Sequence, residues 1–369
     1  MPSRRGQAPI AKIIPHKIRN NRKKMSEALL LVSYGSPEVE EDVVPFLSRL
    51  LGQRGMSDAY IKKAADKYYQ FARRTGAFSP LNSQCRELAE LLRAEFERLG
   101  LAQRIYWGNL YWVPFLDDAI ESMTRDGITE ASCFVTSAFD STAGNRRYSA
   151  AIESARQKIG NNAPRIVRLP LPFDNKLFIE AQAELLQNAI KKITTQQQTT
   201  DNQIKNNQKT ETKNEILILF TAHSIPVADP AKENYIEQLN FTCNAAMNYC
   251  RESCPNNIEL KWELLFQSQG INNNKNKNTI SIDWLKPNIK DRFTEIIHQT
   301  NKNHNPKTTQ IIISPIGFFC ENLETVNDLD LELGDICTNS SVKFIRVKTV
   351  GTTPKICKMI TQSVVNYAR

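Results

Sequence analysis

Short runs of apolar, largely β-branched residues recur along the chain, separated by longer segments whose apolar positions repeat every three to four residues. Eight of the short runs read as strands, over 28–35, 105–112, 131–139, 166–171, 216–223, 260–268, 310–318 and 342–350. The segments between them read as helices, over 40–51, 57–74, 83–99, 114–126, 146–159, 175–193, 232–252, 284–299 and 324–333, with a last helix over 354–367. Strands apolar along their whole length that alternate with helices belong to parallel sheets covered on both faces. Four strands fall on each side of residue 173. The expected fold is therefore α/β, with two doubly wound Rossmann-like domains facing each other across a cleft, each a four-stranded parallel sheet flanked by helices. The expected divisions are an arm over 1–24, a first domain over 25–172, a second over 173–350 and a closing helix over 351–369.

Three polar tracts interrupt this plan, at 194–214, 272–278 and 301–307. Rich in Asn, Gln, Lys and Thr and without apolar period, they cannot offset their ordering entropy by burial and read as mobile surface loops.

Charge changes the picture in one place. The formal net charge of +9 comes almost entirely from residues 1–24, which hold eight basic side chains and no acid; residues 25–369 hold 40 basic and 39 acidic groups. The arm lacks the apolar core of a secretory signal, and its prolines oppose a long amphipathic helix. A disordered basic tail is expected, with Met25, which opens the run MSEALLLVSYG, as an alternative start. With the excess charge confined there, no nucleic-acid partner is expected. No run reaches the roughly 18 uninterrupted apolar residues of a spanning helix, so membrane contact is expected to be peripheral at most. The eight cysteines are dispersed without CxxC pairs, the pattern of reduced thiols in a cytoplasmic protein. Cys243, Cys250 and Cys254 share one helix face and are expected to be small core residues rather than a metal cluster.

Ligands in doubly wound sheets bind beyond the carboxyl ends of strands, and four of these ends carry unusual residues. The first ends in Tyr34, Gly35 and Ser36; the third leads through a polar turn to Arg146, Arg147 and Tyr148. The fifth ends in His223, with Pro226 blocking continuation, and the seventh leads to Glu321, Asn322 and Glu324. A histidine at a strand end is by itself ordinarily structural, and carboxylates at a helix start are commonly stabilised by the helix dipole alone. Convergence on one cleft gives them another use: neutral imidazole facing carboxylate can ligate a divalent metal or move protons. Acidic residues follow the first strand (YGSPEVEED) where a nucleotide's phosphates would sit, so no nucleotide is expected.

The ordered set VSYGSPE, SPLN, YWGNLYWVPFL, VTSAF, TAHSIP, LLFQSQ, WLKP and PIGFFCENLE, over about residues 27–335, resembles the ferrochelatase family, enzymes that insert ferrous iron into a porphyrin in haem biosynthesis. The resemblance implies His223 and Glu324 as catalytic and metal-binding residues. It implies Tyr34, Ser79, Tyr148, Arg54 and Lys67 as porphyrin contacts, with Arg73 or Arg74 as further partners for propionates. Phe46, Phe71, Trp107 and Phe139 are candidate apolar walls for the distorted macrocycle. The expected ligands are a small-molecule porphyrin and Fe²⁺, with no further cofactor and a monomeric protein. Tyr34 and the polar helix over 57–74 lean toward coproporphyrin III over protoporphyrin IX. A porphyrin or haem carrier without turnover, and a cobalt chelatase acting on a related tetrapyrrole, share these features.

The chain departs from the commonest family pattern in three places. Glu321-Asn322 stands where relatives carry Asp-His, replacing an imidazole with an amide that cannot titrate. Gly76-Ala77 replaces a Gly-Gly pair, with 72–75 read as an insertion before it. The tail after residue 335 has only Cys337 and Cys357, too few for the [2Fe–2S] centre of some relatives.

Overall fold

The computed structural model describes residues 28–52, 55–203, 214–269, 282–302, 310–338, 340 and 342–367. The basic arm, Arg54 and the tract at 272–278 lie outside the described residues.

All eight expected strands are present, in two parallel four-stranded sheets. The first is ordered β2-β1-β3-β4, from β1 (Ala28–Ser33), β2 (Arg104–Asn109), β3 (Glu130–Val135) and β4 (Arg165–Arg168). The second is ordered β6-β5-β7-β8, from β5 (Asn214–His223), β6 (Ile258–Gln267), β7 (Gln310–Ser314) and β8 (Lys343–Arg346). Every ladder is parallel; Leu31 pairs with Trp107 and Phe134, and Ile218 with Trp262 and Ile312. The order reverses at β1 in one sheet and at β5 in the other, so each sheet opens a crevice beyond those strands' carboxyl ends. All six residues of β1 are buried, which is why it reads as uninterrupted ALLLV.

The helices are α1 (Glu40–Gly52), α2 (Asp58–Thr75), α3 (Leu81–Arg98), α4 (Leu116–Arg125), α5 (Arg147–Ile159), α6 (Lys176–Gln203), α7 (Lys232–Ser253), α8 (Ile289–Lys302), α9 (Leu323–Val326), α10 (Leu333–Cys337) and α11 (Pro354–Tyr367). Ser57 caps α2 by accepting the Tyr60 amide N–H at 3.4 Å, and Gly76, with φ +76°, ends it in the left-handed region. Residues 72–75 are thus the last turn of this helix. One apolar cluster runs from Leu29 and Leu31 of β1 through Leu88 and Leu92 of α3 to Ile218 and Phe220 of β5, joining the two halves. The C-terminal helix α11 packs on both α3 and α6, and its Ile356, Ile360 and Val364 are buried in that cluster.

Three expectations are corrected. Helix does not begin at 284: Trp284 and Asn288 bridge to Pro226 and Phe266, Pro287 intervenes, and α8 starts at Ile289. The tract at 194–214 is helical as far as Gln203, and that at 301–307 as far as Lys302, with 204–213 and 303–309 outside the described residues. The helix expected over 324–333 is α9, then a π-helical segment Asn327–Glu332, then α10. A second π segment, Thr142–Arg146, precedes α5. Single π turns inside helices are frequent at functional sites.

All eight cysteines are free; Cys243 and Cys250 are buried on α7, and Cys254 follows its last turn. No helix among the described residues is long and apolar enough to cross a membrane.

Candidate metal and porphyrin site

The site grows out of the switch point of the second sheet. β5 ends at His223, where the Tyr235 hydroxyl of α7 donates to the His223 carbonyl at 2.9 Å. Ser224 continues the frame: its amide N–H donates to the Gln267 carbonyl at 2.8 Å and its hydroxyl to that of Leu285 at 3.1 Å. The imidazole Nδ1 lies 2.6 Å from the Ser224 carbonyl oxygen. A carbonyl can only accept, so this contact puts a proton on Nδ1 and leaves the Nε2 lone pair free when the ring is neutral.

The opposing carboxylate arrives on the loop after β7. Gly317 crosses β5 so closely that a Cβ there would lie 2.4 Å from the Ala222 Cβ, and its amide N–H donates to the Thr221 carbonyl at 3.0 Å. Only glycine permits this approach, and it brings the following residues alongside His223. Asn322 then caps α9 in a reciprocal box with Thr325, amide N–H to Asn322 Oδ1 at 2.9 Å and Asn322 N–H to Thr325 Oγ1 at 3.0 Å. Glu324 projects from this turn, its Oε2 3.6 Å from His223 Nε2. The separation is that of an ion pair, just beyond a direct hydrogen bond. Both side chains are about two-fifths exposed to the cleft. Burial, the largest single influence, opposes the charged imidazole, but the neighbouring Glu324 carboxylate together with the Ser224 backbone contact and Asp328 outweighs it and raises the His223 pKa above its ordinary value.

The first sheet contributes aromatic groups. Gly35, with φ +84°, turns the chain after β1 where a Cβ would meet the backbone of Trp112 at 2.9 Å. Tyr34 lies beside it with its ring tilted against Tyr111, centroids 4.6 Å apart, and the Tyr111 hydroxyl accepts from Arg147 at 3.0 Å. Tyr68 of α2 packs edge-on to Phe46. Burial pushes its phenol pKa upward, and Glu324 and Tyr34 add to the shift.

A polar flank adjoins the pair. Lys67 of α2 reaches Asp328 Oδ1 at 3.1 Å, and the Ser268 hydroxyl donates to Asp328 Oδ2 at 2.5 Å. Burial is the largest single influence on the Lys67 ammonium, but Asp328, Glu324 and Glu332 together outweigh it and its pKa is raised. Ser268, at φ +56°, holds a left-handed backbone unusual for a side chain with a Cβ, a strain of about 1–3 kcal/mol. An open cavity of about 240 Å³ lies here, lined by Lys67, Gln267, Ser268, Asn288, Asp328 and Glu332 among others. Lys290 pairs with Glu332 at its edge, and Arg74 forms two 2.8 Å hydrogen bonds with Asp335 further along.

Of the residues singled out in the sequence, His223 and Glu324 meet directly, Lys67 flanks them at Asp328, and Tyr34 packs on Tyr111 on the side of the first sheet. Ser79, just before α3, is 8% exposed and accepts from the Leu81 amide, and Tyr148, in the first turn of α5, is 5% exposed; both offer little surface to a ligand. Arg74 is engaged by Asp335. Phe46, Phe71 and Phe139 are core side chains that back the cleft, while Trp107 is half-buried and donates to Asn109 at 2.9 Å. Tyr68, Tyr111, Ser268 and Asp328 are not singled out by the sequence, although the motifs YWGNLYWVPFL and LLFQSQ cover Tyr111 and Ser268.

Among the described residues no group of three or more His, Cys, Asp or Glu gathers around a metal position. His223 and Glu324 therefore offer two ligands, which leaves most of an ion's coordination sphere for other donors. The family model described as Ferrochelatase matches residues 26–368. A ferrochelatase of Rhodopirellula baltica is 30% identical over 334 residues, 90% of this chain and 84% of the relative. A coproporphyrin III ferrochelatase of Nocardia farcinica is 29% identical, covering 91% and 86%. The solved structure of SirB from Bacillus subtilis with Fe³⁺ matches at a TM-score of 0.48 and 12% identity, over 93% of this chain and 94% of that one. The chain belongs to the ferrochelatase family.

Proposed function

We propose that His223 and Glu324 perform the insertion of ferrous iron into porphyrin, the haem-biosynthetic reaction that family membership assigns to this enzyme, and that coproporphyrin III is the preferred substrate. The 3.6 Å approach of His223 Nε2 to Glu324 carries the reading. Insertion removes two pyrrole protons and strips water from Fe²⁺. Neutral His223, fixed by its Nδ1–H bond to Ser224, presents a lone pair able to take a proton or touch the metal. Glu324 can accept that proton and, being partly exposed, pass it to water. Groups of this kind contribute roughly 10²–10⁴ in rate each.

The aromatic side of the cleft supplies the second half of the reading. Tyr34 faces the macrocycle, with Ser79 and Tyr148 contributing from the buried floor. Lys67 uses one ammonium hydrogen on Asp328 and has two left for a propionate; the resemblance also implies Arg54 as a propionate partner. Four carboxylates on the substrate would profit from such cations more than two. The halves 25–172 and 173–350 act as the two walls. No resident cofactor or iron–sulfur centre enters the scheme, and the reduced cysteines favour a cytoplasmic setting.

The test of substrate choice is turnover on the two porphyrins with Fe²⁺ or Zn²⁺. A kcat/KM for coproporphyrin III at least tenfold above that for protoporphyrin IX is expected; the reverse order overturns that part of the proposal.

A further inference from the structure

We infer that Arg346 is a positioning residue for Glu324, an inference that rests on the reading of Glu324 as the reacting carboxylate. β8 delivers Arg346 between two carboxylates, where its side chain is 11% exposed. One guanidinium nitrogen binds Glu321, and Nε and the other nitrogen bind Asp330, the Nε contact at 2.8 Å. Glu321 is itself 7% exposed and uses its remaining acceptors on Thr349, just after β8, and on Thr325 of its own turn. Oε1 also accepts the Thr349 amide N–H at 2.9 Å, and Oε2 accepts the Thr325 hydroxyl at 2.8 Å.

Arg346 thus ties down both pieces of chain that flank Glu324. Through Glu321 and Thr325 it holds the cap of α9, and through Asp330 it holds the π segment. Among the described residues the Glu324 backbone carbonyl accepts from Gln267 at 3.2 Å and from the Asn327 amide, and its carboxylate pairs with His223. Its place in the cleft is set by the frame beneath it. This gives the Glu321-Asn322 pair two structural duties: Glu321 anchors Arg346, and Asn322 caps the turn.

A misplacement of about 1 Å at a reacting group can cost on the order of 10²-fold in rate. Removing Arg346 alone would strand a buried carboxylate, so the variant of choice is Arg346→Met combined with Glu321→Gln. Arg346→Lys, which keeps the charge and loses the planar fork, is the second. The readouts are kcat for Zn²⁺ insertion, porphyrin affinity by fluorescence without metal, Tm, and the further effect of Glu324→Gln in each background. The double variant is expected to fold and bind porphyrin within about twofold of the wild type, with kcat down about 10²-fold. Adding Glu324→Gln to it should cost less than about tenfold more, because residues acting as one unit are not additive. Arg346→Lys should fall between.

An unchanged kcat, or a Glu324→Gln effect as large as in the wild type, overturns the inference. Should the double variant not fold, Arg346→Lys decides: lost kcat with intact Tm and porphyrin affinity supports the inference, and wild-type kcat overturns it. A silent Glu324→Gln in the wild type would defeat the assignment of Glu324 and this inference together, whereas silent Arg346 variants beside a damaging Glu324→Gln defeat only the second.

Discussion

His223 Nε2 and Glu324 Oε2 stand 3.6 Å apart while His223 Nδ1 is committed to the Ser224 carbonyl. The imidazole is therefore fixed in one tautomer, with its pKa raised by the carboxylate it faces. On replacing Glu324 by Gln that cause disappears while the opposing burial stays, so the His223 pKa should fall. NMR titration of the ring is expected to show a value above 6.5 in the wild type and a lower one in the variant. The sign carries over to stability: a group titrating higher in the folded state stabilises the fold below its unfolded pKa, and loses that contribution as pH rises through the folded value. A ring that titrates unchanged in Glu324→Gln would show that the two groups are not coupled.

Lys67 and Arg74 of α2 meet Asp328 and Asp335, seven residues apart on each side. Lys67→Met should cost about 1 kcal/mol, discounted for an ammonium nearly half exposed, and should raise KM for coproporphyrin III several-fold. Arg74→Met joins two exposed groups and should leave both Tm and KM within error. Equal effects of the two substitutions on KM would remove Lys67 from the propionate rim.

Asn322 caps rather than titrates. Asn322→Ala should destabilise the protein by about 1 kcal/mol, as loss of a cap does, with kcat at saturating metal within about twofold, since a cap acts on the fold and not on the reacting atoms. A tenfold loss of kcat with intact Tm would instead give this amide a part in the chemistry.

The close approach of Gly317 to Ala222 makes a fourth prediction. Gly317→Ala forces a contact that real Cβ atoms do not make, so the loop must move. Loss of kcat should exceed loss of porphyrin affinity, because the loop carries Glu324 and not the aromatic wall. Wild-type kcat in a folded Gly317→Ala variant would show that the approach does not set the site.

All eight strands were legible because parallel strands buried on both faces are written as unbroken apolar runs, as in ALLLV at 28–32. Several were read too long at the carboxyl end, 310–318 against Gln310–Ser314 being the clearest, because the loop that carries the site is itself buried and apolar through Ile316 and Phe319. Helix 284–299 was misread at its start because strand-like bridges at Trp284 and Asn288 leave no local signature. His223 and Glu324 could be found from strand ends and motif order. Arg346 could not: Glu321 and Asp330 lie 25 and 16 residues away, and nothing in the KFIR run marks one arginine as buried between carboxylates. Likewise the burial of Ser79 and Tyr148 depends on how α3 and α5 sit, which residue spacing does not encode.

The most direct measurement is spectrophotometric porphyrin metallation by the wild-type enzyme and by Glu324→Gln, with Fe²⁺ or Zn²⁺ and coproporphyrin III. The wild type should form metalloporphyrin, and Glu324→Gln should lower kcat by about 10² or more while still binding porphyrin, the loss expected for a proton-transfer group. No metalloporphyrin from the wild type, or full activity in Glu324→Gln, would contradict the account.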